Sequence, residues 1–388
     1  MLSSAYRLLE TARSHMGAPH CPVCGRKMAR NDRTSAGRTR WRCTSCGASA
    51  TCKIDNAAKR LSAFLAWLLT RSRQSDMPGG GRTFRRKTAR LWEIWPMPPK
   101  VEAARKVVFV DGIHLGRRAV VLIASDDEHA LGWHLCRSEN GRAWAALMSR
   151  VAAPEVVVSD GGDGFAKALR QTWPNTRHQR CVFHAFCQVR RYTTTRPRTP
   201  AGVELYALAK ALLSITTLKE ADGWVQALLA WSERWDSFLA ETSIGEDGKT
   251  WLTHERLVKA RRSLVRLVNA GTIFTYLDPA LAGTGVIPST NNRIEGGVNA
   301  QLRAMLRDHR GLSIERRLKA IFWWCYVHSP SPLPAAEILR VMPTDRSIAA
   351  IYERLDEREK LEGSIPQWGD AIVWSELHHS EPYRMDWD

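Results

Sequence analysis

The chain has 388 residues, with 57 Lys and Arg against 39 Asp and Glu, and a formal net charge of +18. That length accommodates about two to four domains, and a hydrophobic share of 44 % is that of a folded chain. The apolar run Leu61–Leu69 is too short to span a bilayer, and no signal-like segment precedes it. A membrane or secreted protein is therefore not expected, which leaves a cytoplasmic one with a polyanionic partner.

The charge is unevenly spread. Residues 1–100 hold 20 Lys and Arg against 5 Asp and Glu. Residues 344–388 hold 5 basic and 11 acidic side chains. Polyanion binding is thus expected in the first quarter of the chain.

Nine cysteines, an odd number, argue against a full disulfide framework. Cys21 and Cys24 form one C-x-x-C pair, and Cys43 and Cys46 form a second after eighteen intervening residues. Two such knuckles place four thiolates around one tetrahedral ion, so a structural zinc ribbon is expected over residues 15–52. Gly25 and Gly47 follow each second cysteine, where a tight turn favours a residue without Cβ. The intervening segment is rich in arginine and suits DNA or a protein partner; Cys52 is read as a bystander.

Leu61, Phe64, Leu65 and Leu68 recur at helical spacing. Met77 to Gly81 then breaks the chain, and a second helix is expected from Thr83, as N-cap, through Trp95. Phe84, Thr88, Leu91, Trp92 and Trp95 would face inward, leaving Arg82, Arg85, Arg86, Lys87 and Arg90 outward. This suits a helix-turn-helix-like DNA-binding module over residues 53–99, and equally an ordinary hairpin with a solvated basic face. Pro96, Pro98 and Pro99 close it as a stiff linker.

Beyond the linker the pattern changes. Lys106–Gly112 is an apolar strand ending in Asp111, and Arg118–Ser125 and Ala130–Cys136 continue an antiparallel meander. A helix over Trp144–Val151 precedes a second β-branched strand that ends in Asp160 and Gly161. A helix over Gly164–Trp173 and a strand over His178–His184 follow. Three strands, helix, strand, helix, strand is the order of an RNase H-like mixed sheet, in which the first and fourth strands are neighbours. Asp111 and Asp160 would then meet, and two adjacent carboxylates repel unless a hard divalent cation neutralises them. Such cations serve phosphoryl transfer. A third carboxylate is Glu295, in a helix capped by Ser289 or Thr290 with Ile294, Val298, Leu302, Met305 and Leu306 at helical spacing.

Three blocks, VFVDG, VVVSDGGDGF…QRCVFH and STNNRIEGGVNAQLR, resemble the DDE transposases of Mutator-like bacterial insertion sequences over residues 106–327. The resemblance implies a metal-binding triad of Asp111, Asp160 and Glu295 served by Mg²⁺ or Mn²⁺. It also implies a C-x-x-H element, Cys181 and His184, that positions DNA or shapes the site; the bland alternative is strand and helix-cap packing. Further implications are cleavage at element ends, attack of the freed 3′-OH on target DNA, and a homodimer or larger oligomer on double-stranded DNA at the nucleoid. Asp126, Asp127 and Asp163 are rivals close to Asp160, Asp163 being read as a helix cap.

The resulting architecture is an α/β RNase H-like core in two parts, 100–199 and 286–343, interrupted by an α-helical insertion at 200–285 and followed by an acidic tail at 344–388. In the insertion, Trp224, Leu228, Trp231 and Trp235 are read as core, with base stacking as the alternative. Lys259, Arg261, Arg262 and Arg266 lie on a helix over 251–268 suited to phosphates. Ile314–Val327 reads as a buried closing helix. Two rival functions are a non-catalytic DNA-binding regulator and a nuclease without strand transfer.

Overall fold

A computed structural model describes residues 18–35, 37–51 and 56–362. Cys52, residues 15–17 of the expected ribbon and the tail beyond 362 lie outside the described residues. The chain divides into two units. One holds the described residues up to Met97 together with Ser331–Ile351, and the other is built on Pro98–Pro330.

The first unit opens on three short antiparallel strands, β1 (Ala29–Arg33), β2 (Thr39–Arg42) and β3 (Ser49–Thr51). Its small core is Cys21, Met28 and Cys43 against Trp41, too little apolar surface to hold such a fold by itself. Helix α1 (Ala57–Leu68) buries Leu61, Phe64, Leu65 and Leu68, as their spacing predicts. Helix α2 (Gly80–Thr88) starts three residues before the expected cap Thr83. Gly79, at φ +90, makes the turn, so Gly80 and Gly81 enter the helix instead of breaking it. The chain tightens into a 3₁₀ turn over Ala89–Glu93. Phe84, Thr88, Leu91, Trp92 and Trp95 are all buried, with Trp92 edge-on to Phe64 at 4.9 Å. Arg82, Arg85, Arg86, Lys87 and Arg90 are exposed.

The second unit is built on a five-stranded mixed sheet of order β6-β5-β4-β7-β8. Strands β4 (Val107–His114), β5 (Val120–Ser125) and β6 (Ala130–Cys136) form the expected antiparallel meander. Strands β7 (Val156–Ser159) and β8 (Arg177–Arg180) add in parallel. Val108, Val110, Leu122 and Leu131 pack with helices α3 (Gly141–Met148) and α4 (Asp163–Thr172) through Trp144 and Phe165. Strand β8 is shorter than expected. Val182, Ala185, Phe186 and Val189 are buried at helical spacing, so the chain leaves the sheet at Cys181 and enters α5 (Val182–Thr193).

Residues 200–285 are mostly helical, as expected: α6 (Pro200–Ala211), α7 (Leu218–Arg234), α8 (Asp236–Leu239) and α9 (Glu255–Asn269). A small hairpin, Thr242–Ile244 with Thr250–Leu252, takes the start of the expected helix over 251–268. Trp224 and Trp231 are buried and donate their indole N–H groups to the carbonyls of Leu208 and Ala201, which settles them as core. Lys259, Arg261 and Arg266 stand near Glu255, Asp236 and Asp163 in ion pairs at the surface.

After α10 (Ala300–Asp308), α11 (Ile314–Val327) is the buried closing helix, and its Phe322 meets Trp133 of β6 at 6.2 Å. Residues 331–351, read from the sequence as core end and tail start, belong instead to the first unit. There α12 (Ala335–Val341) packs on α1, and Trp95 donates its indole N–H to Asp345 Oδ1 at 2.7 Å. Among the described residues no helix is long and apolar enough to cross a membrane.

Candidate metal and carboxylate sites

The parallel register aligns Val107 with Val156 and Phe109 with Val158. Continued by two residues, it brings Asp111 level with Asp160, which directly follows β7. Strand β4 runs on to His114 after β7 has ended, leaving a notch along that edge. Gly161 turns the chain at φ +81, and the Arg180 side chain lies where a Cβ would stand, so only glycine fits there. Arg180 is buried, and its Nη1 has no partner.

Glu295 comes from a different element than expected. Arg293–Asn299 is a π-helical segment continuing into α10, and neither Ser289 nor Thr290 caps it. The amides of Ile294 and Glu295 bond the Asn291 carbonyl, and Gly296 with Gly297 lowers the resistance to a wide turn. Such segments are frequent at functional sites. Ile294, Leu302, Met305 and Leu306 are buried as their spacing predicts.

Two buried asparagines tie this segment to the sheet. Asn299 Nδ2 donates to Asp111 Oδ2 at 2.7 Å, and Asn291 Nδ2 donates to the Val110 carbonyl at 3.0 Å. The Asn291 amide donates to Cys181 Sγ at 3.2 Å. His184 Nδ1 stands 3.4 Å from Glu295 Oε1. Cys181, His184 and Glu295 offer ligand atoms within 4.8 Å of one another; Asp111, Asp160 and Glu295 do not form so tight a set.

Negative charge accumulates in the notch. Burial, and then repulsion from Asp160, Glu295 and Glu139, pushes the Asp111 carboxyl up to about 6, against a hydrogen bond from the Gly112 amide. Burial and then Asp160 raise Glu139 as well, against the pull of His114. Cys181, and then Glu295 and Asp160, hold His184 above the usual histidine value. A hard divalent cation with oxygen ligands fits this donor set, because it would discharge carboxylates that otherwise repel. The rivals have other surroundings. Asp126 accepts the Glu128 and His129 amides in a turn, Asp127 pairs with Arg293, and Asp163 is a fully exposed first residue of α4.

In the first unit, Cys21, Cys24, Cys43 and Cys46 bring their sulfur atoms within 4.8 Å of one another. Each knuckle repeats one pattern. The Cys21 amide bonds Arg26 O and the Gly25 amide bonds Cys21 O; Cys43 with Ala48 and Gly47 does the same. Gly25 and Gly47 have φ of +70 and +73. The amides of Cys46 and Ser45 hold the Cys43 thiol down to about 6, and those of Cys24 and Val23 lower Cys21. Sulfur pairs at 3.4 and 3.5 Å are near the roughly 3.8 Å edge of a tetrahedron with 2.3 Å zinc–sulfur bonds. The four cysteines fit zinc.

Sequence reasoning missed Glu139, Asn291, Asn299 and Arg180. Asn291 and Asn299 lie four residues either side of Glu295, the one faint local signal; Glu139 and Arg180 become neighbours of the acids only through the sheet.

Residues 108–188 match the MULE transposase domain, a span that holds Asp111, Asp160, Cys181 and His184 and stops before Glu295. The chain is similar to a probable transposase for an insertion sequence element of Corynebacterium diphtheriae, 25 % identical over 126 residues, which are 29 % of this chain and 37 % of that protein. It is also similar to the transposase for insertion sequence element IS905 of Lactococcus lactis subsp. lactis (strain IL1403), 26 % identical over 100 residues, 22 % of this chain and 26 % of that one. The matched stretch thus spans little more than a third of the first of these curated relatives and about a quarter of the second. The resemblance to Mutator-like insertion-sequence transposases is borne out over this part of the chain.

Proposed function

We propose that this chain, a carrier of the MULE transposase domain, is the transposase of a bacterial insertion sequence, which cuts DNA at the element ends and joins them to a target. The observation that supports the reading is the parallel register of two inner strands, which continued by two residues brings Asp111 level with Asp160, with Glu295 close enough to repel Asp111. The strand order, the parallel β4–β7 pair and the late acidic helix support an RNase H-like core. Asp111, Asp160 and Glu295 would hold Mg²⁺ or Mn²⁺, which when bound supplies charge neutralisation to the phosphoryl oxygens.

The remaining work falls to the chain itself. Asn299 orients Asp111, while Cys181, through Asn291, and His184 position the segment that carries Glu295. This supports a site-shaping role for the C-x-x-H pair over direct DNA positioning. The exposed Arg85, Arg86, Lys87 and Arg90, with the basic zinc ribbon, supply a phosphate-binding surface in the first unit. A homodimer or larger oligomer follows from the need to bring two element ends together.

The test is cleavage and strand transfer with purified protein, element-end DNA and Mg²⁺. Asp160→Asn and Glu295→Gln are each expected to lose both activities by at least about a thousandfold while keeping DNA binding. Full activity in either variant overturns the site. Cleavage without joining makes the protein a nuclease, and binding without cleavage in the unaltered protein makes it a regulator.

A further inference from the structure

Two segments far apart in the chain bring a sulfur, an imidazole and a carboxylate together. Cys181 stands between β8 and α5, and His184 follows three residues later in the first turn of that helix. Glu295 enters from the π-helical segment. Among the described residues, only this trio and the four ribbon cysteines bring at least three ligand atoms within 4.8 Å of one another.

The ring nitrogen His184 Nδ1 is buried and has no hydrogen-bond partner. Glu295 Oε1 is 3.4 Å away but is not aligned to accept from it. That separation is the edge of a tetrahedron whose metal–nitrogen and metal–oxygen bonds are about 2.1 Å. A buried nitrogen without a partner is costly, and a cation between the two atoms satisfies both. Cys181 is fully buried, whereas His184 and Glu295 are half-buried, which leaves an open side for a water as fourth ligand. The Asn291 amide, 3.2 Å from Cys181 Sγ, supports a sulfur ligand as outer hydrogen bonds do at zinc sites. Sulfur together with imidazole selects zinc over Mg²⁺, which takes oxygen ligands.

We propose that Cys181, His184 and Glu295 form a second zinc site, distinct from the ribbon, and that zinc bound there holds Glu295 away from the strand-end aspartates. Binding releases the Cys181 thiol proton to solvent and takes His184 as the neutral imidazole. Filling the site therefore switches off a reaction that needs Glu295 beside Asp111 and Asp160. This second part rests on the reading of Glu295 as a ligand of the catalytic cation; the zinc site itself does not.

The experiment counts zinc bound by the full-length chain, by titration against a chromogenic zinc chelator. The unaltered protein is expected to hold two zinc ions, the ribbon's being the tighter. Cys181→Ser and His184→Gln should each keep the ribbon zinc and bind the second at least about tenfold more weakly, with circular dichroism checking that both stay folded. Asp160→Asn should keep both ions. A single zinc in the unaltered protein overturns the site. So does a second zinc that Asp160→Asn loses and Cys181→Ser retains, because it would then sit on the aspartates. Over the concentrations that fill the second site, zinc is expected to block Mg²⁺-dependent cleavage of element-end DNA. If the site fills and cleavage continues unchanged, the withdrawal of Glu295 is overturned and the site stands. If Glu295→Gln cleaves as the unaltered protein does, the reading of Glu295 as a catalytic ligand fails, whatever the zinc count.

Discussion

His178 and Asp111 show how burial in one sheet sets the charge state of single side chains. Burial, and then the Arg180 charge, brings the His178 ring down to about 4, against the pull of Asp160. Its Nε2 is 2.8 Å from Ser159 Oγ. Below the ordinary value of 6.5 the unfolded chain takes up a proton that the folded ring refuses. Stability is therefore complete above pH 6.5 and falls as the pH drops toward 4, by up to about 3 kcal/mol. Urea titrations between pH 7 and 4 should show this loss, and His178→Gln should remove most of it. Asp111 and Asp160 were legible because each ends a β-branched run before glycine. Glu139 and Arg180 carry no such local mark, since their meaning comes from neighbours in other strands.

The elements followed their periodicity wherever one face met a core. The meander, α1 and α11 stand where the spacing of their apolar residues puts them. Two of the departures lie at the carboxylate site. The expected strand through His184 ends at Arg180, because Val182, Ala185, Phe186 and Val189 have a helix's period and bury as one. Cys181 thereby becomes the N-cap residue of α5 and the acceptor of the Asn291 amide. Cys181→Ala leaves that buried N–H without a partner and is expected to destabilise the second unit by about 1–3 kcal/mol, with Cys181→Ser recovering part of it; equilibrium unfolding in urea measures both. The other departure is the π-helical turn at Arg293–Asn299. Apolar spacing locates a helix there and does not distinguish the wider turn, which the buried Asn291 and Asn299 hold against the sheet.

At the scale of the whole molecule, the uneven charge separates two kinds of work. The first unit carries the exposed basic row Arg82, Arg85, Arg86, Lys87 and Arg90, and the second carries Asp111, Asp160 and Glu295. Removing zinc with a strong chelator is expected to unfold residues 18–51, whose core is three side chains and Trp41, while sparing the five-stranded sheet. Circular dichroism and tryptophan emission follow both. Replacing Arg85, Arg86, Lys87 and Arg90 together with alanine should flatten the slope of log affinity against log salt by about 3 to 4, with no change in Mn²⁺ binding. Composition, spacing and strand order alone determined the paired cysteine knuckles, the strand-end aspartates and the alternating strands and helices of the mixed sheet, because each is written within a few residues or one helical or strand period. Tertiary structure alone decided that Asn299 bonds Asp111, that Arg180 packs against Gly161 beside Asp160, and that residues 331–351 pack with the first unit. Those contacts join segments far apart in the chain, and it is the register of β4 on β7 and the burial around it that brings them together.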